Sequence, residues 1–118
     1  MSRRTERVGE QIRAEVARLL REEVTDPRIG LLSVTRVDVA PDLSNARVFW
    51  SALEGPSQPT LEQTAAGLVS AAPFLRRQLS RIMSTKRVPE LRFEHDPSLA
   101  AGAEMLALIS ELSHESKE

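Results

Sequence analysis

Five basic side chains lie within twelve residues of one another in the second half of the sequence: Arg76, Arg77, Arg81, Lys86 and Arg87. On a helix, Arg77 and Arg81 stand one turn apart and Arg76 lies beside Arg77. Like charges this close repel one another unless an anion compensates them. Phosphates do so well, because each contact also releases condensed counterions. The cluster therefore indicates a nucleic-acid contact, with a solvated basic helix face as the alternative.

Three further arginines, Arg3, Arg4 and Arg7, cluster at the N-terminal end of the first predicted helix. Farther along that helix, charges of both signs interleave, which is typical of a solvated face. We therefore keep only these three as additional RNA-binding candidates.

The sequence contains few aromatic residues: Phe49, Trp50, Phe74 and Phe93. Most of them are needed for the core, which leaves few rings on which single-stranded bases could stack. The pattern therefore favours recognition of the backbone and shape of structured RNA.

The net charge of −1 conceals an uneven distribution. Residues 1–92 hold fifteen Lys and Arg against eleven Asp and Glu, whereas residues 93–118 hold one Lys against six acids. A basic region followed by an acidic C-terminal helix leaves a second function class open. In that alternative the chain is a protein–protein adaptor that acts through the acidic C-terminal helix.

No set of residues in the sequence predicts catalysis, a cofactor or a metal site. Cysteine is absent, and His95 and His114 do not have metal-ligand spacing. Ser33, His95 and Asp96 could form a hydrolytic set only on paper, because no nucleophile-elbow sequence accompanies them. We therefore expect a protein that is not an enzyme.

Nothing in the sequence predicts contact with a membrane. No apolar run approaches the length of a membrane-spanning helix, and no apolar segment of a signal peptide follows the basic N-terminus. These features predict a cytoplasmic protein, which we expect to be a monomer.

The periodicity of apolar residues predicts an α+β domain in the order helix, strand, strand, kinked helix pair, strand, helix. The predicted elements are a helix over 5–24 with Thr5 as N-cap, strands over 31–40 and 46–53, helical residues from Leu61 with Thr60 as N-cap, a strand over 88–95 and a helix over 99–112. The first two strands should form a hairpin and the third should lie parallel to the second. We thus predict one domain over 1–112, with a three-stranded mixed sheet, helices on one face and a frayed acidic tail over 113–118.

A proline interrupts the long helical pattern that leads into the basic cluster. Pro73 lacks the N–H that a helix needs and crowds the carbonyl group four residues back. The sequence therefore predicts two helices joined by a kink at Ala71, Ala72 and Pro73, with the basic residues on the second helix.

Several short motifs lie in a fixed order along the chain: Arg3-Arg4, Arg7-Val8 and Ile12; Asp26-Pro27-Arg28; Pro41-Asp42-Leu43-Ser44 with Ala46 and Val48; Ala71-Ala72-x-Phe74-Leu75-Arg76; and Arg87-Val88-Pro89-Glu90-Leu91-x-Phe93-x-x-Asp96. Together they resemble bacterial ribosome-binding factor A, and the similarity runs over residues 3–110.

The resemblance implies a KH-like (type II) fold and binding to the free small (30S) ribosomal subunit during late maturation of its 16S rRNA, with a role in cold adaptation. It maps RNA contacts to Arg76, Arg77 and Arg81 and to Lys86 and Arg87. A mixed case stays open, in which the basic face binds RNA and the acidic tail binds a ribosomal protein, an assembly GTPase or nothing. The family has an Ala-x-Gly kink between two helices, and in this sequence Pro73 stands where that glycine is usual.

Overall fold

The structure, a computed structural model, describes residues 3–84 and 87–97. It contains helix α1 (Arg3–Glu22), strands β1 (Leu32–Val39) and β2 (Asn45–Ala52), helix α2 (Leu61–Ile82) and strand β3 (Glu90–His95). The predicted helix over 99–112, the predicted tail over 113–118 and Lys86 lie outside the described residues. Within the described residues, neither helix is apolar over a length that could span a membrane.

The three strands form one mixed sheet in the order β1-β2-β3. The first pair is an antiparallel hairpin and the second pair is parallel, which confirms the predicted topology. A bulge between Val34 and Arg36 breaks the alternation of β1. Because successive residues of a strand point to opposite faces, the bulge turns Arg36 away from the face that bears Val34. It also keeps Val37 on the Val34 side.

Both helices pack on one face of the sheet, as predicted. The buried cluster combines residues from α1, from α2 and from one face of each strand. The side chains of Ile12, Val16, Leu68, Leu75 and Leu79 are fully shielded from solvent. This arrangement gives an α+β domain in which both helices are held by the same core.

Helix α1 contradicts the prediction that Thr5 is its N-cap. Thr5 lies inside the helix and is buried. It stands three and seven residues before Val8 and Ile12, so it extends their buried stripe by another turn. Packing against the core thus continues the helix beyond the point where the residue type predicted a start.

Helix α2 begins as predicted but does not divide into two helices. Thr60 caps it, accepting a hydrogen bond from the backbone N–H of Gln63, while the Gln63 side chain accepts one from the backbone N–H of Thr60. The helix then continues through Pro73 to Ile82, so the predicted helix pair is wrong. Pro73 is exposed, and the carbonyl group that loses its donor belongs to Val69, which is 69% exposed. Water can therefore reach the helix where the bond is missing, while Leu68 and Leu75 anchor it on either side.

Candidate nucleic-acid interface

The fold brings both predicted basic segments to the same end of the molecule. An ideal Cβ at Gly9 would lie 2.8 Å from the carbonyl oxygen of Val37, so the first half of α1 lies over the last residues of β1. At the far end of α2, the Arg76 side chain contacts the residues that precede β3. The last residue of β1 and the first residue of β3 lie at the same end of the sheet, because β2 is antiparallel to β1 and parallel to β3. The start of α1 and the end of α2 therefore lie at this end of the sheet.

We define the basic edge as six exposed arginines that these segments carry there: Arg3, Arg4, Arg7, Arg77, Arg81 and Arg87. Arg76 is exposed as well but is left out of the set, because its guanidinium group is hydrogen-bonded within the fold. Within the described chain, the side chains of Arg77 and Arg81 form no ion pair or hydrogen bond. Five arginines elsewhere in the fold are instead paired with carboxylates: Arg13, Arg18, Arg28, Arg36 and Arg47. The guanidinium groups of Arg77 and Arg81 thus remain available to an external anion.

Arg76 differs from its neighbours although the sequence grouped it with them. Its Nε and Nη2 atoms both donate to the carbonyl oxygen of Val88, over 3.3 and 3.1 Å. The bond joins residues that are twelve positions apart, across the end of α2 and the approach to β3. Part of this guanidinium group is therefore used inside the fold.

The hairpin between β1 and β2 adds an acidic side chain that sequence reasoning missed. Asp42 accepts hydrogen bonds from the hydroxyl group of Ser44 at 2.7 Å and from its backbone N–H at 3.1 Å. The hydrogen bond from the hydroxyl group is the larger cause and the one from the backbone N–H the smaller, and together they hold the pKa of Asp42 below its usual range. The charge of Arg87 lowers this pKa further. The backbone N–H of Glu90 donates to the Ser44 carbonyl oxygen at 3.1 Å, which fastens the hairpin beside the start of β3. Asp42 thus places a negative charge beside the basic edge.

The residues of the predicted kink line a shallow groove of different character. Ala71 lines it together with Val24, Ser70 and Phe74, while Ala72 is half-buried and Pro73 is exposed. Its charged lining residues are the carboxylates Glu23 and Asp26. This groove is therefore unsuited to phosphate, and the kink residues do not extend the basic edge into it.

The open face of the sheet holds arginines that are engaged with Phe49. The guanidinium carbons of Arg36 and Arg47 lie 4.2 and 5.1 Å from the centre of its ring. Arg47 also donates to Glu94 on β3 at 2.7 Å, and this bond lowers the pKa of the Glu94 carboxyl. The two guanidinium groups cover the ring, so Phe49 is only 8% exposed. The sequence gave no sign of these cation–π contacts.

The residues considered for a hydrolytic set have structural partners. The ring of His95 packs edge-on against Trp50, with centroids 5.0 Å apart. The hydroxyl group of Thr35 donates to Asp96 at 2.7 Å. Among residues 3–84 and 87–97, no group of three His, Asp or Glu side chains is placed to hold a metal ion.

Comparison with known proteins gives concordant matches. The family model described as "Ribosome-binding factor A" matches residues 4–109. Proteins of that name from Pseudomonas syringae pv. syringae and Pseudomonas entomophila are each 44% identical over 106 residues, covering 90% of this chain and 77% and 80% of the relatives.

Two structures of relatives share the fold. The crystal structure of ribosome-binding factor A from Thermus thermophilus superposes with a TM-score of 0.68 at 25% identity, covering 77% of this chain and 94% of the other. A homology model of the Thermus thermophilus factor, fitted into a cryo-EM map of its complex with the 30S subunit, has a TM-score of 0.60 at 27% identity and covers 73% and 88%.

Proposed function

Because the chain belongs to the ribosome-binding factor A family, we propose that it is an assembly factor that binds the free small (30S) ribosomal subunit during late maturation of its 16S rRNA. The description of the Thermus thermophilus relative as part of a 30S complex supports this partner. In this proposal the protein acts in the cytoplasm as a binding factor, without catalysis or a cofactor.

The observation that carries the proposal is the set of arginines at the basic edge. Arg77 and Arg81 are exposed one helical turn apart, and Arg87 lies on the adjoining segment. Guanidinium groups bind phosphate oxygens through two parallel hydrogen bonds, which suits contact with an RNA backbone. We propose that these three residues contact the phosphates of 16S rRNA, with Arg3, Arg4, Arg7 and Lys86 as further contacts.

Aromatic burial supports recognition of the backbone in preference to bases. Trp50 is 2% exposed, Phe49 is covered by arginines, and Phe74 and Phe93 are packed against the core. None of the four Phe and Trp rings is therefore an exposed platform for an unstacked base. The exposed ring among the described residues is that of His95, which packs edge-on against Trp50. We propose that the protein holds a folded rRNA element by its shape and charge.

Co-sedimentation with purified bacterial small subunits tests this proposal. At physiological salt the double variant Arg77→Glu, Arg81→Glu should no longer sediment with the subunits and should remain in the supernatant. Its circular dichroism spectrum should remain that of the wild type. Arg21→Glu, Arg92→Glu is the matched control, because it alters the net charge equally at exposed arginines outside the basic edge. The control should sediment like the wild type. If the first variant also sediments normally, binding does not depend on the basic edge and the proposal is wrong.

A further inference from the structure

The short segment between α2 and β3 must be held in place for Arg87 to have a defined position. The side chains of Val88 and Pro89 are buried there, and the backbone N–H of Glu90 donates to the carbonyl oxygen of Ser44. The carbonyl group of Val88 precedes the first residue of β3 and lies outside the strand pairing. A carbonyl group in a partly buried position needs a donor from elsewhere in the fold.

Arg76 supplies that donor through the shape of its side chain. The Nε and Nη2 hydrogens lie on the same edge of a planar guanidinium group, so both can converge on one oxygen atom. They do so at Val88, one residue after Arg87. One of the two edges by which the guanidinium group could grip a phosphate in bidentate fashion, the edge with Nε and Nη2, is therefore occupied by the protein itself.

We propose that Arg76 is a positioning residue that fixes the distance between two phosphate-binding segments, the end of α2 with Arg77 and Arg81 and the approach to β3 with Arg87. This inference rests on the proposed function. The sequence had suggested that Arg76 contacts RNA itself. Arg76 instead holds Arg87 at one spacing from Arg77, so that the two cations meet the phosphates of a folded RNA without a prior rearrangement. Loss of this bond leaves every phosphate-binding cation present but lets the second segment move.

A pair of lysine substitutions tests whether the geometry of the Arg76 side chain matters. Lysine keeps the positive charge but cannot direct two coplanar donors at one oxygen atom. Arg21→Lys, at an exposed arginine of α1 outside the basic edge, should bind purified bacterial small subunits as the wild type does. Arg76→Lys should bind about tenfold more weakly, the change expected for loss of a hydrogen bond to a charged group.

The salt dependence of binding gives a second readout. Since Arg76→Lys loses no phosphate contact, the slope of log affinity against log salt should equal that of the wild type. Arg77→Gln should make the salt dependence shallower, with the magnitude of the slope reduced by about one, as expected for one lost contact. If Arg76→Lys binds as tightly as Arg21→Lys, Arg76 does not position the segment and the inference is wrong.

Hydrogen exchange tests the tether in the free protein. The amide of Glu90 should exchange faster in Arg76→Lys than in the wild type, and Arg77→Lys should leave it unchanged. Unchanged exchange at Glu90, or faster exchange that extends equally over β1, would contradict a local tether. If the wild type itself fails to bind small subunits, the proposed function is wrong, whereas the exchange result still decides whether Arg76 fixes the segment.

Discussion

Gly9 of α1 lies against the backbone of Val37 in β1, so closely that an ideal Cβ would be 2.8 Å from the Val37 carbonyl oxygen. A backbone atom of a paired strand cannot move aside as the end of a side chain could. The contact therefore sets how near the helix comes to the sheet. It also fixes the position of the first half of the helix, which carries Arg3 and Arg4.

Gly9→Ala should destabilise the protein although alanine is the better helix former. Alanine favours a helix by about 1 kcal/mol relative to glycine, but a methyl group forced against the Val37 oxygen costs about 1–3 kcal/mol. We expect a net decrease in the free energy of unfolding, measured by urea denaturation. Ala14→Gly, at an exposed position of the same helix, calibrates the propensity alone and should cost about 1 kcal/mol. A higher urea midpoint for Gly9→Ala would show that the helix can move away from the strand.

Pro73→Ala should make the protein more stable and its binding weaker. The substitution restores a backbone donor for the Val69 carbonyl group within an intact helix, and proline in a helix interior costs about 3 kcal/mol relative to alanine. The free energy of unfolding should therefore rise, by up to about this value at the exposed position of Pro73. If a bend at Pro73 sets the direction of Arg77 and Arg81, the affinity for small subunits should fall.

Pro73→Gly is the companion variant, because it also restores the donor but leaves the backbone permissive. We expect it to retain binding better than Pro73→Ala. Equal binding by both variants and the wild type would show that the direction of the arginines does not depend on this position.

The sequence predicted the sheet because its signals are local. Val37 and Val39 alternate with charged residues, and a proline-led turn follows them. Local signals gave the wrong answer at two positions, because core packing continues the helix at each. Residue type alone would start α1 after Thr5, and it would interrupt α2 at Pro73. At the candidate site, the sequence found the exposed Arg77 and Arg81. It could not separate Arg76 from them, because the partner of Arg76 is a backbone oxygen twelve residues away that only the tertiary structure brings near.

The turn after α1 should lose a stabilising contact at acid pH. The guanidinium group of Arg28, with a smaller contribution from its backbone N–H, holds the pKa of the Asp26 carboxyl below its usual range. A carboxyl whose pKa is lower in the folded state stabilises the fold at pH above its unfolded pKa, and that contribution is lost as the pH falls through the folded value. Asp26→Asn should therefore lower the melting temperature at pH 7, and its difference from the wild type should shrink below about pH 4.

Melting curves at pH 7 and pH 3 check this expectation. Asparagine keeps an oxygen that can accept from the Arg28 backbone N–H, so the comparison isolates the ionic contact. Glu54→Gln, in the exposed loop after β2, is the control and should not change the melting temperature at either pH. A difference for Asp26→Asn that is as large at pH 3 as at pH 7 would assign the effect to hydrogen bonding alone.

Asp42, the carboxylate in the hairpin between β1 and β2, should weaken binding at the basic edge. The charge of Arg87 contributes to the low pKa of Asp42, which shows that the two side chains lie close enough to interact. A phosphate that approaches Arg87 therefore also meets the negative charge of Asp42. Asp42→Asn removes that charge and keeps an oxygen for the Ser44 donors, so the affinity for small subunits should rise about two- to fivefold, as for one exposed charge pair. The gain should be larger at low salt, where surface charges are less screened.

Asp38→Asn, beside Arg36 on the open face of the sheet, is the matched control and should leave the affinity unchanged. An equal gain in both variants would reflect net charge alone, and no gain in either would mean that Arg87 does not face the bound subunit.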